Sequence, residues 1–366
     1  MNSHNKMLTS KYYTEIVCVI AVIILSSCTM YGPVFIKSER NQYNQAIQKT
    51  NDEQLLLNLV RLKYHENPLF MEVNNIASQF TLQNEIGLGA TLQAGAKGVF
   101  TPSTSTYVEE RPTISYSPLH GENFVKGVLT PITLKTIVLL FHSGWSIERV
   151  FKVCLQGMDK LKNAPSASGP TPKIAPKTNK FFKAAKLLRE IQTQGGLEVD
   201  YRIFDGEPQL VIYISNSFKN SPPANQFARL LNTNLGKMSY VFSSPGIKGN
   251  ESIDIVTRSL LGVMFYLSQA VEVPEQDVTE GKVAVTKTVK GEVFNWAEIT
   301  GELLHVYNSP SSPEDAGLKI FYRNYWFYIN DSDLISKSTF SLLAQIYALQ
   351  SGESVSYTHL TLPTTP

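Results

Sequence analysis

IASQFTLQNEIGLGATLQAGA, Ile76 to Ala96, is the stretch on which the fold turns. Ile76, Phe80, Leu82, Ile86, Leu88, Ala90, Leu92, Ala94 and Ala96 hold even positions, and Gln79, Gln83, Glu85, Gly87, Gly89, Thr91, Gln93 and Gly95 hold odd ones. A repeat of two marks a β-strand, because successive side chains leave a strand on opposite faces. The run therefore has one apolar face, interrupted at Asn84, and one face that is polar or bare. A Ser/Thr-rich stretch from Thr101 to Thr106 leads to a further expected strand, Tyr107 to Tyr116. Ile86 to Ala96 also matches the length of about nine to eleven residues, and the alternation, of a membrane-spanning strand. Ile76 to Leu82 or Val99 to Tyr107 would supply the second strand of a hairpin. The soluble alternative is a half-buried hairpin packed on the preceding helix, with Leu88 and Leu92 against its leucines.

Upstream, Thr50-Asn51-Asp52-Glu53 reads as a capping box, Thr50 at the N-cap and Glu53 three residues on. It would open a helix carrying Leu55, Leu56, Leu59, Val60 and Leu62 that stops before Pro68. Downstream, Gly121 to Lys162 reads as two or three helices punctuated by Pro131 and Gly144. Asn163 to Asn179 is rich in Pro, Ala and Ser and reads as a linker or long loop, hence as a domain boundary. Beyond it we expect a helix (Lys180 to Gln192), a hairpin turning at Asp205-Gly206, a helix (Pro223 to Asn232) and a strand (Met238 to Ser243). Ile253 to Ala270 is periodic as a helix. A polar stretch then precedes strands at Ile299 to Val306 and Leu318 to Ile329, the latter folded back at Tyr322-Arg323-Asn324-Tyr325, and a final helix from Ser338 to Leu349. The pattern is α+β: an N-terminal helix, a period-two β segment and helices, then a mixed layer with hairpins. It predicts domains at 28–162 and 180–353.

Acidic and basic residues nearly balance, 31 against 33, for a net charge of +2. Nucleic acid is therefore excluded as a partner class, since its footprint is a strong basic excess. The amino terminus says more. Lys6 and Lys11 precede the apolar run Ile16 to Leu25, the layout of a secretory signal. That run is about half the roughly twenty residues a membrane span needs. Leu25-Ser26-Ser27-Cys28 follows, and it resembles the bacterial lipobox, a branched apolar residue and two small ones before the cysteine that is diacylated. The resemblance implies a signal peptide at 1–27 and lipid on the Cys28 sulfur, which two or more acyl chains hold stably at a membrane. In such lipoproteins an Asp after the cysteine favours the inner membrane; here Thr29 follows, so the expectation is the periplasmic face of the outer membrane. Of the three cysteines, the resemblance implies that Cys18 leaves with the signal and that Cys28 is acylated. Cys154 is then a lone thiol in a helical pattern with Ile147, Val150, Phe151, Met158 and Leu161, expected as a buried structural residue. The tail at 354–366 resembles a translated sequencing adapter and is set aside as non-native.

Catalytic signatures are missing. Gly144-Trp145-Ser146-Ile147-Glu148 ends in Glu where a hydrolase elbow needs a small residue, so Ser146 reads as an N-cap. His65, His120, His142 and His305 show no zinc spacing, His120-Gly121-Glu122 reads as a turn, and no phosphate-binding glycine loop is present. Asp331-Ser332-Asp333 lacks the glycine and further ligand of a calcium loop and reads as a turn with a helix cap. No catalytic residue, metal ligand or cofactor is expected. Two stretches remain as contact candidates. Tyr325, Trp326 and Tyr328, with Phe321, Tyr322 and Phe327, offer rings to a glycan or protein partner, although both faces of that hairpin are apolar and read as covered. Lys177, Lys180, Lys183 and Lys186, with Lys173 and Arg189, form a basic stripe suited to anionic lipid headgroups or to plain solvation.

The leading reading is a lipid-anchored envelope protein with a non-enzymatic binding or assembly role, joined to the membrane through Cys28 and to other envelope proteins. A second is a lipid-anchored hydrolase of cell-wall or lipid substrates. A third follows from the period-two run, which is similar to lipoprotein secretion channels in which each subunit lends a hairpin to a shared barrel.

Overall fold

The computed structural model describes residues 31–91, 99–119, 121–170, 172–246 and 252–352. The expected signal peptide, the lipobox Leu25-Ser26-Ser27-Cys28, Leu92 to Ala96, His120 and the tail at 354–366 lie outside the described residues. The fold is α+β. It divides into two compact units, 1–52 and 53–366.

The first unit is described from residue 31, within helix α1, Tyr31–Lys63. The capping box expected at Thr50 is not there: Thr50 sits inside α1, and its hydroxyl donates to the carbonyls of Ala46 (2.9 Å) and Ile47 (3.0 Å). The hydroxyl thus serves the turn behind it rather than the amides ahead. The turns before Thr50 carry mainly exposed side chains, so no apolar stripe announces them.

The second unit begins with the apolar end of α1, where Leu55, Leu56, Leu59, Val60 and Leu62 are buried. It continues into two long strands, β1 (Met71–Thr91) and β2 (Val99–Pro118), paired antiparallel as a two-stranded sheet. After a shift at Val73/Asn75, even residues pair with even: Ile76 with Ile114, Leu82 with Val108, Ile86 with Thr104, Leu88 with Pro102. Of the two second strands the alternation allowed, β2 is the one found.

Then follow α2 (Glu122–Leu129), α3 (Leu134–His142), α4 (Ile147–Cys154), β3 (Leu155–Met158), β4 (Leu161–Lys162), α5 (Asn179–Thr193), β5 (Leu197–Phe204), β6 (Glu207–Ile214), α6 (Pro222–Leu230), β7 (Ser239–Ser243), β8 (Ile253–Thr257) and α7 (Leu260–Ser268). These strands make one sheet in the order β4-β3-β8-β7-β6-β5, antiparallel except at β7 and β8. The chain closes with α8 (Glu275–Thr279), α9 (Ala297–Thr300), a three-stranded sheet of β9 (Tyr307–Ser309), β10 (Ala316–Tyr322) and β11 (Tyr325–Asn330), and α10 (Leu334–Gly352). Asp205 (φ 52°) and Gly206 (φ 80°), like Arg323 (48°) and Asn324 (68°), take the left-handed backbone that two-residue hairpin turns demand.

The boundary expected at 163–179 does not divide the molecule. The six-stranded sheet draws strands from both sides of it, and Asn163, Ala164, Ala167 and Thr178 are buried. Small residues there serve close packing rather than flexibility. The helix expected over 253–270 starts only at Leu260. Ile253 and Ile255 are buried while Asp254 and Val256 are exposed, a period of two, and Ser259 caps the following helix by accepting from the Gly262 amide. Likewise the strand expected at 299–306 is the end of α9 and a loop, and the helical pattern around Cys154 ends at that residue, with Met158 and Leu161 in strands. Cys154 itself is fully buried as expected, and burial pushes its thiol up to about 12.

At the centre lies Arg258, also fully buried. Its guanidinium donates to the carbonyls of Lys152 (3.2 Å), Val153 (3.0 Å), Leu155 and Asn163 and to the Ser168 hydroxyl (3.0 Å). The first three acceptors belong to the C-terminal end of α4, where unpaired carbonyls concentrate partial negative charge. The Tyr266 ring covers the cation at 4.0 Å. Burial lowers the Arg258 pKa to about 10, still far above neutrality, so the ion is kept. One side chain thereby ties α4, β3, the 163–168 segment, β8 and α7 together.

Arg258→Met should destabilise the body by about 3–5 kcal/mol, because five acceptors lose the guanidinium in the interior and the Asn163 side chain still serves only two of them, the Lys152 and Leu155 carbonyls. Urea unfolding checks this. A loss below about 1 kcal/mol would show that water or a rearranged backbone replaces the guanidinium at little cost.

Candidate functional site

The hairpin is the feature that the rest of the fold does not absorb. Among the described residues, neither β1 nor β2 pairs with any other strand. At 21 and 20 residues, each strand extends about 65–70 Å at roughly 3.3 Å per residue. Met71, Ile114 and Tyr116 are 39%, 41% and 55% exposed, so apolar side chains stand in solvent near its base. Both outer edges carry backbone donors and acceptors without a ladder partner.

Its root, by contrast, is held firmly. Asn58, fully buried on α1, donates to the Leu69 carbonyl (2.8 Å) and accepts from the Leu69 amide (3.0 Å). One turn earlier, Gln54 donates to the Met71 carbonyl (3.2 Å) and accepts from the Met71 amide (2.6 Å). Four helical residues rise about 6 Å and two strand residues about 6.6 Å. Carboxamides at i and i+4 of a helix therefore match backbone groups at i and i+2 of a strand. The helix imitates a neighbouring strand over this short stretch and stops. Between the two clamped residues Phe70 turns inward, stacked on Tyr347 of α10 (5.1 Å, 22°) and edge-on to Phe124 of α2 (5.6 Å). The Leu119 amide donates to the Phe70 carbonyl (2.8 Å), closing the base on the β2 side.

The turn between α1 and β1 is fixed as well. Tyr64 donates to Asp277 (2.6 Å), and Arg323 lies 4.6 Å over the Tyr64 ring. Burial, then the hydrogen bond to Asp277, raise the Tyr64 pKa. Glu66 accepts from Tyr322 and Arg323; burial works against its charge, but these hydrogen bonds outweigh it and hold the carboxyl below its ordinary range. The hairpin thus springs from a rigid seat.

Of the ring candidates, Trp326 and Tyr328 share one face of β11, half-exposed, while Tyr325 lies on the opposite face with the buried Phe327 and Ile329. The expectation that both faces are covered is corrected: the core covers one. The outward rings satisfy one another, Tyr328 stacked on Tyr307 (5.4 Å), Tyr307 on His305 (3.9 Å) and Trp326 against Phe321 (5.2 Å). Lys177, Lys180, Lys183 and Lys186 are exposed, the last three on the side of α5 opposite the buried Phe181, Ala184 and Leu188.

A cavity of about 520 Å³ lies elsewhere in this unit, lined by Lys63, Glu272, Phe294, Trp296, Leu304 and His305. Burial lowers the Lys63 ammonium to about 8, and it donates to Gln269 (3.2 Å). Among the described residues no three His, Cys, Asp or Glu side chains are grouped to hold a metal. Ser146 is the N-cap of α4, accepting from the Arg149 amide, and Asp333 caps α10 through the Ser336 amide (3.0 Å). Sequence reasoning missed Gln54, Asn58, Arg258 and the buried Lys152, which pairs with Glu148 (2.7 Å) and Glu302 (2.8 Å). For the amides, the only signal was their four-residue spacing.

Asn58→Ala should cost about 1–3 kcal/mol by orphaning the Leu69 amide and carbonyl. It should speed amide exchange at Leu69 and Met71 while leaving β6 and β7 unchanged. Unaltered exchange at Leu69 would mean that the Phe70 stack alone seats the hairpin.

Comparison of the chain with protein-family models, with curated proteins and with solved structures finds no match.

Proposed function

We propose that this chain is a lipid-anchored envelope protein with a non-enzymatic assembly role, in which copies join edge to edge through the β1–β2 hairpin to build a shared barrel at the outer membrane. One observation carries this reading: a hairpin of 21 and 20 residues with, among the described residues, no other strand on either edge, rooted in a clamped seat. A two-stranded ribbon is marginally stable alone in water and needs further strands or a covering layer. Two edges of this length without a ladder partner among the described residues are a template for another strand.

A second copy is the partner that fits both edges at once. Hairpins set side by side alternate up and down, so β2 of one copy meets β1 of the next antiparallel, as within the hairpin itself. Such head-to-tail contacts close into a ring when the rotation per copy permits, and closure removes every edge. The strand number is then even for any number of copies. The Leu25-Ser26-Ser27-Cys28 motif supports anchoring at Cys28. No specific observation favours a hydrolase.

The test is the native mass of the full-length, lipidated protein extracted in mild detergent. The wild type should be a multimer, and a variant with residues 76–114 replaced by a two-residue Asn-Gly turn should be a monomer of unchanged thermal midpoint. Cys28→Ala should lose palmitate labelling and leave the membrane fraction. A wild-type monomer, or a multimer indifferent to the shortened hairpin, would overturn the assembly reading; unchanged membrane attachment of Cys28→Ala would overturn the anchor.

A further inference from the structure

We infer that the hairpin has two halves with different surroundings: the distal ten residues of each strand, 82–91 and 99–108, cross the hydrocarbon of the bilayer, and the proximal part stays in water as a collar. This rests on the assembly reading above and adds where in the hairpin the membrane lies.

The first support is the distribution of charge along the paired register. Glu109, Glu110 and Arg111 pair with Thr81, Phe80 and Gln79, and Glu109 and Arg111 form an ion pair at 2.8 Å. Beyond them, 82–91 and 99–108 hold a single charged residue, Glu85. The contrast lies on β2, where three consecutive charges at 109–111 give way to none over 99–108; β1 carries one charge in each part, Glu72 and Glu85.

The second support is parity. Because even residues pair with even, Leu82, Asn84, Ile86, Leu88 and Ala90 share a face with Phe100, Pro102, Thr104, Thr106 and Val108, a face broken by one Asn and two Thr, while Gln83, Glu85, Gly87, Gly89 and Thr91 share the other with Val99, Thr101, Ser103, Ser105 and Tyr107. The one distal charge therefore has the polar parity, which in a closed barrel is the lumen. Glu110 has the apolar parity, opposite Phe80. Submerging the proximal part would place that carboxylate against lipid at every copy, a cost that grows with depth.

Length agrees. Ten residues tilted by about 40° cover about 25 Å, the height of the apolar band of an outer-membrane barrel. The proximal part adds about 35 Å at the same rise, enough to hold the folded body clear of the headgroups.

Single cysteines at Leu88→Cys and Leu82→Cys (apolar parity, distal), Ser103→Cys (polar parity, distal) and Ile114→Cys (proximal), each carrying an NBD fluorophore, test this in liposomes of phosphatidylethanolamine and phosphatidylglycerol. Cys154 is fully buried with its thiol pushed up to about 12, so the label goes to the introduced site. Doxyl-labelled lipids should quench positions 88 and 82 at least twofold, and aqueous iodide should quench 103 and 114. Iodide quenching at 88 and 82, or lipid quenching at 114, would overturn the inference. Native mass on the same samples separates the failures: multimers with water-exposed 88 and 82 leave assembly standing without membrane insertion, whereas monomers bring down both.

Discussion

A guanidinium with no water around it organises the body of this protein. Arg258 sits fully buried where the C-terminal end of α4, the 163–168 segment, β8 and the start of α7 meet, and it donates to the carbonyls of the α4 end and of Asn163 as a group. The negative end of a helix supplies the field that a carboxylate would otherwise supply. Desolvating a cation is costly, and the cost is met only while every donor has its acceptor. The arrangement is therefore all or none. It fixes α7 against α4 and welds the stretches on either side of 163–179 into one sheet.

That rigidity matters because of what the body carries. A ribbon about 65–70 Å long acts on its root as a lever, and the root answers with interactions of three kinds. Paired carboxamides from Gln54 and Asn58 hold the β1 backbone, Phe70 is stacked among Tyr347 and Phe124, and the turn before it is tied through Tyr64 and Glu66. The helix mimics a strand for two residues and no further, so the ladder edge is satisfied at the seat and open beyond it. A soluble protein ordinarily blunts or covers such an edge. Here firm seating combined with open edges is what an element needs if its remaining bonds are to be made with another molecule.

Much of this was legible in the residues. The alternation from Ile76 onward identified the long strand, because a period of two needs no tertiary context to be recognised. Asp205-Gly206 and Arg323-Asn324 announced their turns. The misread elements share a cause. Ile253 to Thr257 runs directly into an apolar helix, so two periods merge into one apparent helical run, and only pairing with β3 and β7 separates them. The first half of α1 has too few apolar positions to show a stripe, and Thr50 was mistaken for a beginning. The Pro- and Ser-rich look of 163–179 concealed the acceptors Asn163 and Ser168, since a lone arginine in a sequence gives no hint of the carbonyls it will meet. Gln54 and Asn58 gave no signal beyond their four-residue spacing; their function appears only when a strand backbone lies beside them.

Amide hydrogen exchange across 71–91 and 99–118 in the membrane-extracted protein tests the account most directly. Within a lone antiparallel hairpin about half of the amides in each strand point at the partner and the other half point outward to water. If copies complete both edges, nearly all amides of 82–91 and 99–108 will be protected in the extracted particle, and the outward half will lose that protection when the particle is dissociated. Protection of only the inward half in the intact particle would mean that the edges stay open, and the hairpin would then not be the element that joins one copy to the next.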